Sequence, residues 1–186
     1  MNNPSVLLTV LIAMTTATDT VPLQNENLLM TRPDGYKTDF YEKTADMLIN
    51  EMVPVNQSVS NWTEMVRVQI FYALKATPEQ FKIKMDQART RLCPGSSSQS
   101  LAEARENGYP TLVWYENCSL NTATGKPEFT WFKGIQGNDS FYLIQVATKI
   151  EPSDEVSTRW LDYLKRVRVC DTRLPERACT AERPSR

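Results

Sequence analysis

The sequence predicts an α+β fold: a mainly antiparallel sheet of about five or six strands packed by two longer helices. Three observations carry this. Residues 62–72 alternate with period two, putting Trp62, Glu64, Val66, Val68, Ile70 and Tyr72 on one face and Thr63, Met65, Arg67, Gln69 and Phe71 on the other. Two later segments open with helix caps and carry apolar stripes of helical period. Gly137-Asn138-Asp139 joins two strand-like runs as a hairpin turn, so strands follow one another without βαβ winding. One face of the sheet is expected to be covered by both long helices.

The elements follow in order. Residues 18–35 form an extended lead-in ending in the turn chemistry of Pro33-Asp34-Gly35. Residues 36–42 and 46–53 are strands joined near Lys43-Thr44-Ala45, and residues 54–60 are a polar loop before the strand at 62–72. Thr77-Pro78-Glu79-Gln80 supplies an N-cap, a proline at the first helical position and a capping-box glutamine. Phe81, Met85, Ala88 and Leu92 are the expected buried stripe of that helix, with Lys82, Lys84, Asp86 and Arg89 outward. Cys93-Pro94-Gly95 ends it.

Ser100-Leu101-Ala102-Glu103 has the form of a second capping box, predicting a short helix that stops at Gly108. Strands are expected at 111–118, 128–136 and 140–149. The last helix opens at Pro152-Ser153-Asp154-Glu155, where acids suit the helix dipole. Its stripe is Val156, Trp160, Tyr163, Leu164 and Val167. Residues 36–170 thus form a single domain, followed by a basic tail at 171–186.

Composition narrows the function classes. The chain has 186 residues, 21 Lys+Arg against 22 Asp+Glu, four cysteines and no histidine. Near-neutral charge argues against nucleic-acid backbone binding, which needs a surplus of Lys and Arg. Without histidine there is no Ser-His-Asp or Cys-His nucleophile, no His-ligated metal site and no imidazole switch. Gly-x-Ser-x-Gly, phosphate-loop and calcium-loop motifs are also missing. No catalytic residue, metal site or cofactor is therefore assigned.

The first charged side chain is Asp19, preceded by the apolar run Val6-Leu7-Leu8-Thr9-Val10-Leu11-Ile12-Ala13 and the small residues Thr15-Thr16-Ala17. This pattern predicts a secretory signal peptide over residues 1–17, although its start lacks the usual Lys or Arg. It is shorter than the about 20 apolar residues of a membrane-spanning helix, and no transmembrane segment is expected after its removal. Cys93, Cys118, Cys170 and Cys179 fit an oxidising compartment, the periplasm or the exterior. Three pairings are open to four cysteines. Cys93–Cys118 is preferred because it ties a helix end to a strand end, and Cys170–Cys179 because it pins the tail.

Candidate functional residues are few. Glu64 shares its strand face with Trp62, Val66 and Val68, where desolvation would raise a carboxyl's pKa unless a cation or donor meets it. It is the one residue on which carboxylate-dependent hydrolysis could rest, but no second carboxylate can be placed opposite it. Tyr109, Trp114, Tyr115, Phe129, Trp131 and Phe132 put rings on both strand faces. One face is then core and the other a surface for a protein partner. Trp62, Glu64, Tyr109, Trp114 and Trp131 are the expected binding residues.

Four Asn-x-Ser/Thr triplets, at Asn56, Asn61, Asn117 and Asn138, are acceptors only in a eukaryotic secretory pathway. From Arg159 onward eight Lys and Arg face four acids, a basic end suited to an acidic partner or to solvent.

Pro33-Asp34-Gly35-Tyr36-Lys37, followed by Asn61-Trp62-Thr63-Glu64-Met65-Val66-Arg67-Val68-Gln69, resembles uncharacterised exported proteins of Gram-negative bacteria. The element order is similar to PsbP-like α/β/α sandwiches. The first resemblance implies periplasmic export. The second implies accessory or chaperone roles by fold analogy. The expectation is an exported, non-catalytic binding protein whose partner is another protein. The alternatives are an immunity protein against a secreted toxin and a hydrolase using Glu64.

Overall fold

The computed structural model describes residues 23–179. The expected signal peptide over residues 1–17 and the tail beyond Cys179 lie outside the described residues. The chain runs β1 (Glu26–Leu29), β2 (Tyr36–Lys43), β3 (Met47–Pro54), β4 (Glu64–Tyr72), α1 (Pro78–Arg89), β5 (Ser97–Glu106), β6 (Tyr109–Asn121), β7 (Lys126–Gln136), β8 (Ser140–Thr148), α2 (Asp154–Arg166) and β9 (Arg168–Asp171), then a short 3-10 turn (Pro175–Arg177).

Seven strands form one antiparallel sheet in the order β2-β3-β4-β8-β7-β6-β5, and β1 pairs with β9 in a separate two-stranded ladder. This is the expected α+β class, with more strands than the five or six expected. β8 sits at the centre and is buried along its whole length. Its near-continuous apolar sequence, rather than a clean alternation, is what burial on both faces requires.

The helices lie on opposite faces, which corrects the expectation that both cover one. α2 brings Trp160, Tyr163 and Leu164 onto Val66, Val68, Trp131, Ile144 and Val146. α1 sets Phe81 and Met85 against Trp114, Phe132, Phe141 and Leu143. The physical reason is the pair of rings at adjacent positions in β6 and β7. Trp114 and Phe132 stack on the α1 face with centroids 4.8 Å apart, while Tyr115 and Trp131 pack on the α2 face at 5.2 Å. Both apolar faces need a cover, so one helix goes to each.

α1 carries the expected capping box, with Thr77 Oγ1 accepting from Gln80 N and Gln80 Oε1 accepting from Thr77 N. Its inner face is not the expected one. Ala88 and Leu92 are exposed, whereas Lys82 and Arg89 turn inward. Arg89 Nε donates to Glu116 at 2.6 Å and its Nη2 to Glu128 at 3.1 Å. Glu116 is only 2% exposed, so its carboxyl is pushed up by burial and held back by the Arg89 charge. The helix turned to satisfy this buried acid rather than to bury Leu92.

The expected short helix from Ser100 to Gly108 is instead β5, paired with β6 from Ser97↔Asn117 to Glu106↔Tyr109. Asn107 and Gly108 both have positive φ, 49° and 77°. Asn-Gly at that place is a two-residue hairpin turn with left-handed backbone at both positions, and it outweighs the capping-box pattern. β5 also lacks an apolar stripe, so a helix there would have had nothing to bury.

Both disulfides have the expected pairing, Cys93–Cys118 and Cys170–Cys179. The second closes a loop that begins inside β9, so the expected tail boundary at residue 171 falls within a strand. Asp171 accepts from Arg173 N, Nε and Nη2 at 2.9, 2.8 and 2.6 Å, and Arg173 Nη2 reaches Asp139 at 2.7 Å.

Two outcomes test this packing. Arg89→Leu leaves buried Glu116 without its cation and should cost about 3–5 kcal/mol in urea unfolding, most of it regained when Glu116→Leu is added. The Arg173 bonds hold the Asp171 carboxyl below its ordinary range. A depressed native pKa stabilises above the unfolded value and is lost as pH falls through the native one. The melting-temperature gap between the native chain and Asp171→Asn should be open near neutral pH and close as pH is taken below 3.8.

Candidate functional site

α2 is fastened to the sheet at its C-terminal end and near its middle, and a groove lies along its first turns. At its C-terminal end the Lys133 ammonium, 0% exposed on β7, donates to Leu164 O at 2.9 Å and Val167 O at 2.7 Å. Leu164 O also accepts from Val167 N at 3.2 Å, which closes the last turn, so the ammonium is its second donor; Val167 O belongs to the C-cap residue, where the helix leaves carbonyls without an internal partner. The same ammonium pairs with Glu106 at the end of β5. Burial lowers the Lys133 pKa, and Glu106 opposes the shift.

Nearer the N-terminal end, Arg159 Nη2 donates to Glu64 Oε1 at 2.7 Å, and Tyr36 Oη donates to Glu64 Oε2 at 2.7 Å. The Tyr36 ring meets Trp160 edge-on, with centroids 6.0 Å apart. Burial, then the bond to Glu64, raises the Tyr36 pKa. Ser153 caps the helix through Val156 N at 3.3 Å.

Two hollows lie along the first turns of α2. One, of about 270 Å³, has Tyr115, Trp131 and Leu161 as its floor and Leu101, Ser157 and Pro152 around it. The other, of about 300 Å³, lies between Thr63, Glu64 and Thr148 on the sheet side and Ser153 and Val156 on the helix side. Both share Glu151 and Pro152, so they adjoin in a single depression. Leu101 is 42% exposed and Ile150 69% exposed at its margins. Glu151, Asp154 and Glu155 are exposed at the start of the helix and make that end acidic. The Tyr115 hydroxyl feels this: its pKa is raised by burial and then by the Glu151 charge. The groove combines an apolar aromatic floor with an acidic end, an arrangement that holds apolar and cationic groups together.

The five residues expected to bind do not form one exposed patch. Trp114 is buried beneath α1, on the opposite side of the sheet from the groove. Tyr109 is buried under the Arg177 guanidinium, 4.4 Å from its ring centroid. Trp131 is buried too, but forms part of the groove floor. Glu64 reaches the groove with both oxygens engaged. Trp62 is half-buried, with Lys149 Nζ 4.1 Å above its ring.

Leu101, Glu151, Pro152 and Leu161 were not singled out from the sequence. Leu101 was hidden by the helical reading of its segment. Glu151 and Pro152 belong to an ordinary helix start and Leu161 to the middle of the helix, and none shows a spacing that marks a site. Among the described residues no three acidic or cysteine side chains come together as metal ligands, and no helix is long and apolar enough to cross a membrane.

No protein-family model matches the chain, and no curated protein matches it in sequence. Solved structures of similar shape include the cyanobacterial PsbP of Synechocystis, at 9% identity and a TM-score of 0.46 over 82% of this chain and 97% of that one. The Ran-binding protein Mog1p of Saccharomyces cerevisiae is similar at 11% identity and a TM-score of 0.43, over 76% and 85% of the two chains. Likeness at this level assigns neither family nor function.

Lys133→Met takes the ammonium from Val167 O, at about 1–3 kcal/mol if that carbonyl is left unsatisfied, while Leu164 O keeps its bond from Val167 N. Hydrogen exchange should quicken in the last turn of α2 while the cross-strand amides of β4 and β8 keep their protection. Uniform loss of protection would show that Lys133 supports the whole core instead.

Proposed function

We propose that this is an exported, non-catalytic accessory protein that binds another polypeptide in the groove beside α2. The groove floor carries the reading. Tyr115, Trp131 and Leu161 offer a preformed apolar seat beside exposed Leu101 and Ile150. Glu151, Asp154 and Glu155 at its end favour a segment that presents apolar side chains next to Lys or Arg. Two disulfides suit an oxidising compartment, and with the apolar N-terminal run they support the periplasm as the place of work.

A binding role also agrees with the state of Glu64. A general acid or base needs an oxygen available to substrate, and both oxygens of Glu64 already accept bonds from Arg159 and Tyr36. Its position fits a strut holding α2 over the sheet better than a catalytic carboxyl.

The test is capture from native periplasm with the mature chain and with Leu101→Arg/Leu161→Glu, each first shown to melt as the native chain does. A polypeptide retained by the native chain and held at least about tenfold more weakly by the variant supports the groove. Rising salt should also weaken that complex, because the acidic end contributes to it. Equal capture by both chains would move the binding surface elsewhere.

A further inference from the structure

The two edges of the seven-stranded sheet are not alike. Each edge carries a bulge, between Thr38 and Phe40 in β2 and between Ser100 and Ala102 in β5, but the loop after β3 also leans against β2 through Val59 N, which donates to Asp39 Oδ2 at 2.8 Å. β5, at the other edge, is ten residues long, and every residue but Glu106 is exposed. Among the described residues, its backbone hydrogen bonds are those of the ladder with β6. It contains neither proline nor lysine, the usual guards of an open edge. An edge of this kind presents a row of backbone donors and acceptors ready for another strand.

We infer that the β5 edge is a homodimer interface, in which the β5 strands of two copies pair antiparallel about a two-fold axis at Ala104 and join two sheets into one. The charge pattern of the strand selects this partner and this register. A two-fold axis perpendicular to the sheet keeps each side chain on its own face, so the axis must pass through a residue rather than between two. With the axis at Ala104, Glu103 of each copy stands opposite Arg105 of the other, and the small Ala104 side chains meet at the centre.

Glu103 and Arg105 are opposite Leu112 and Pro110 in the β6 ladder, both on the α1 face, and both are exposed. Arg105 donates only its Nη1 to Gly108 O, at 3.1 Å, and keeps donors for a carboxylate across the interface. Moving the axis one residue toward the N-terminus sets Glu103 against Glu103, and one residue the other way sets Arg105 against Arg105. Opposite charges directly across a strand pair stabilise it and like charges destabilise it, so the neighbouring registers are disfavoured. The bulge between Ser100 and Ala102 ends the straight part of the edge, leaving 102–106 as the pairing segment. Lys133 holds Glu106 at the end of that segment, so the edge is already fixed in the free chain.

Sedimentation equilibrium of the mature chain over a concentration series tests the inference. The native chain should form a reversible dimer. Glu103→Arg and Arg105→Glu, each placing two like-charge pairs across the interface, should weaken it at least about tenfold. The double swap Glu103→Arg/Arg105→Glu should restore it, because the charge pattern is then inverted but still complementary. All four native cysteines are paired in disulfides. Ala104→Cys therefore introduces a single reactive thiol, and a short bis-maleimide should link two copies through it. A native chain that stays monomeric at every concentration overturns the inference. So does a dimer that neither single variant weakens, or that Ala104→Cys does not cross-link.

Discussion

One buried cation organises this protein. Lys133 sits in the middle of a sheet strand with no exposed surface, among the residues on which α2 packs, and it is tolerated there because three oxygens meet it. An ammonium in an apolar layer is costly unless its donors are used. The carbonyls of Leu164 and Val167 and the carboxylate of Glu106 use them, and each belongs to a different element or its end. Through one nitrogen the sheet therefore holds the end of α2, the turn into β9 and the last residue of edge strand β5. The placement of the groove and the rigidity of the open edge both depend on this contact.

A half-buried acid ties the chain together elsewhere. Glu26, in β1, accepts from the backbone of Asn138, Asp139 and Ser140 in the β7–β8 turn and from the Tyr142 hydroxyl. A Cβ on Gly137 would collide with this carboxylate, so the glycine is needed for the close approach. Burial, and then the charge of Glu26 and the bond to it, raise the Tyr142 pKa. Because β1 pairs with β9, and β9 leads into the Cys170–Cys179 loop, both ends of the described chain are tied to one hairpin turn. The sheet is covered at its middle and tied at this turn, while the start of α2 and the β5 edge stay accessible.

The errors of the sequence reading share one cause. In α1, apolar spacing pointed to Ala88 and Leu92, but Glu116 on β6 drew Arg89 inward, and a contact 27 residues away has no local signature. In β5, Ser100 and Glu103 have capping-box spacing and Asn107-Gly108 fits a helix end, yet the same dipeptide closes a hairpin once β6 is alongside. Lys133 lies in a run of aromatic and small residues, and nothing local marks it as buried. The groove was half legible: Trp131 and Glu64 were singled out for their neighbours on the strand, whereas Leu101, Glu151 and Leu161 come together only when α2 crosses the sheet.

By itself, the sequence determined what short-range chemistry controls. The helix starts at Thr77 and Ser153, the two faces of β4, the hairpin at Gly137 and the disulfide pairing each depend on propensity, period or loop closure within a few tens of residues. The tertiary structure decided which face each helix took, which edge stayed open and which charges were buried. These outcomes depend on the cost of leaving an apolar face or a buried ion without a partner, and the partner is supplied by distant segments of the chain.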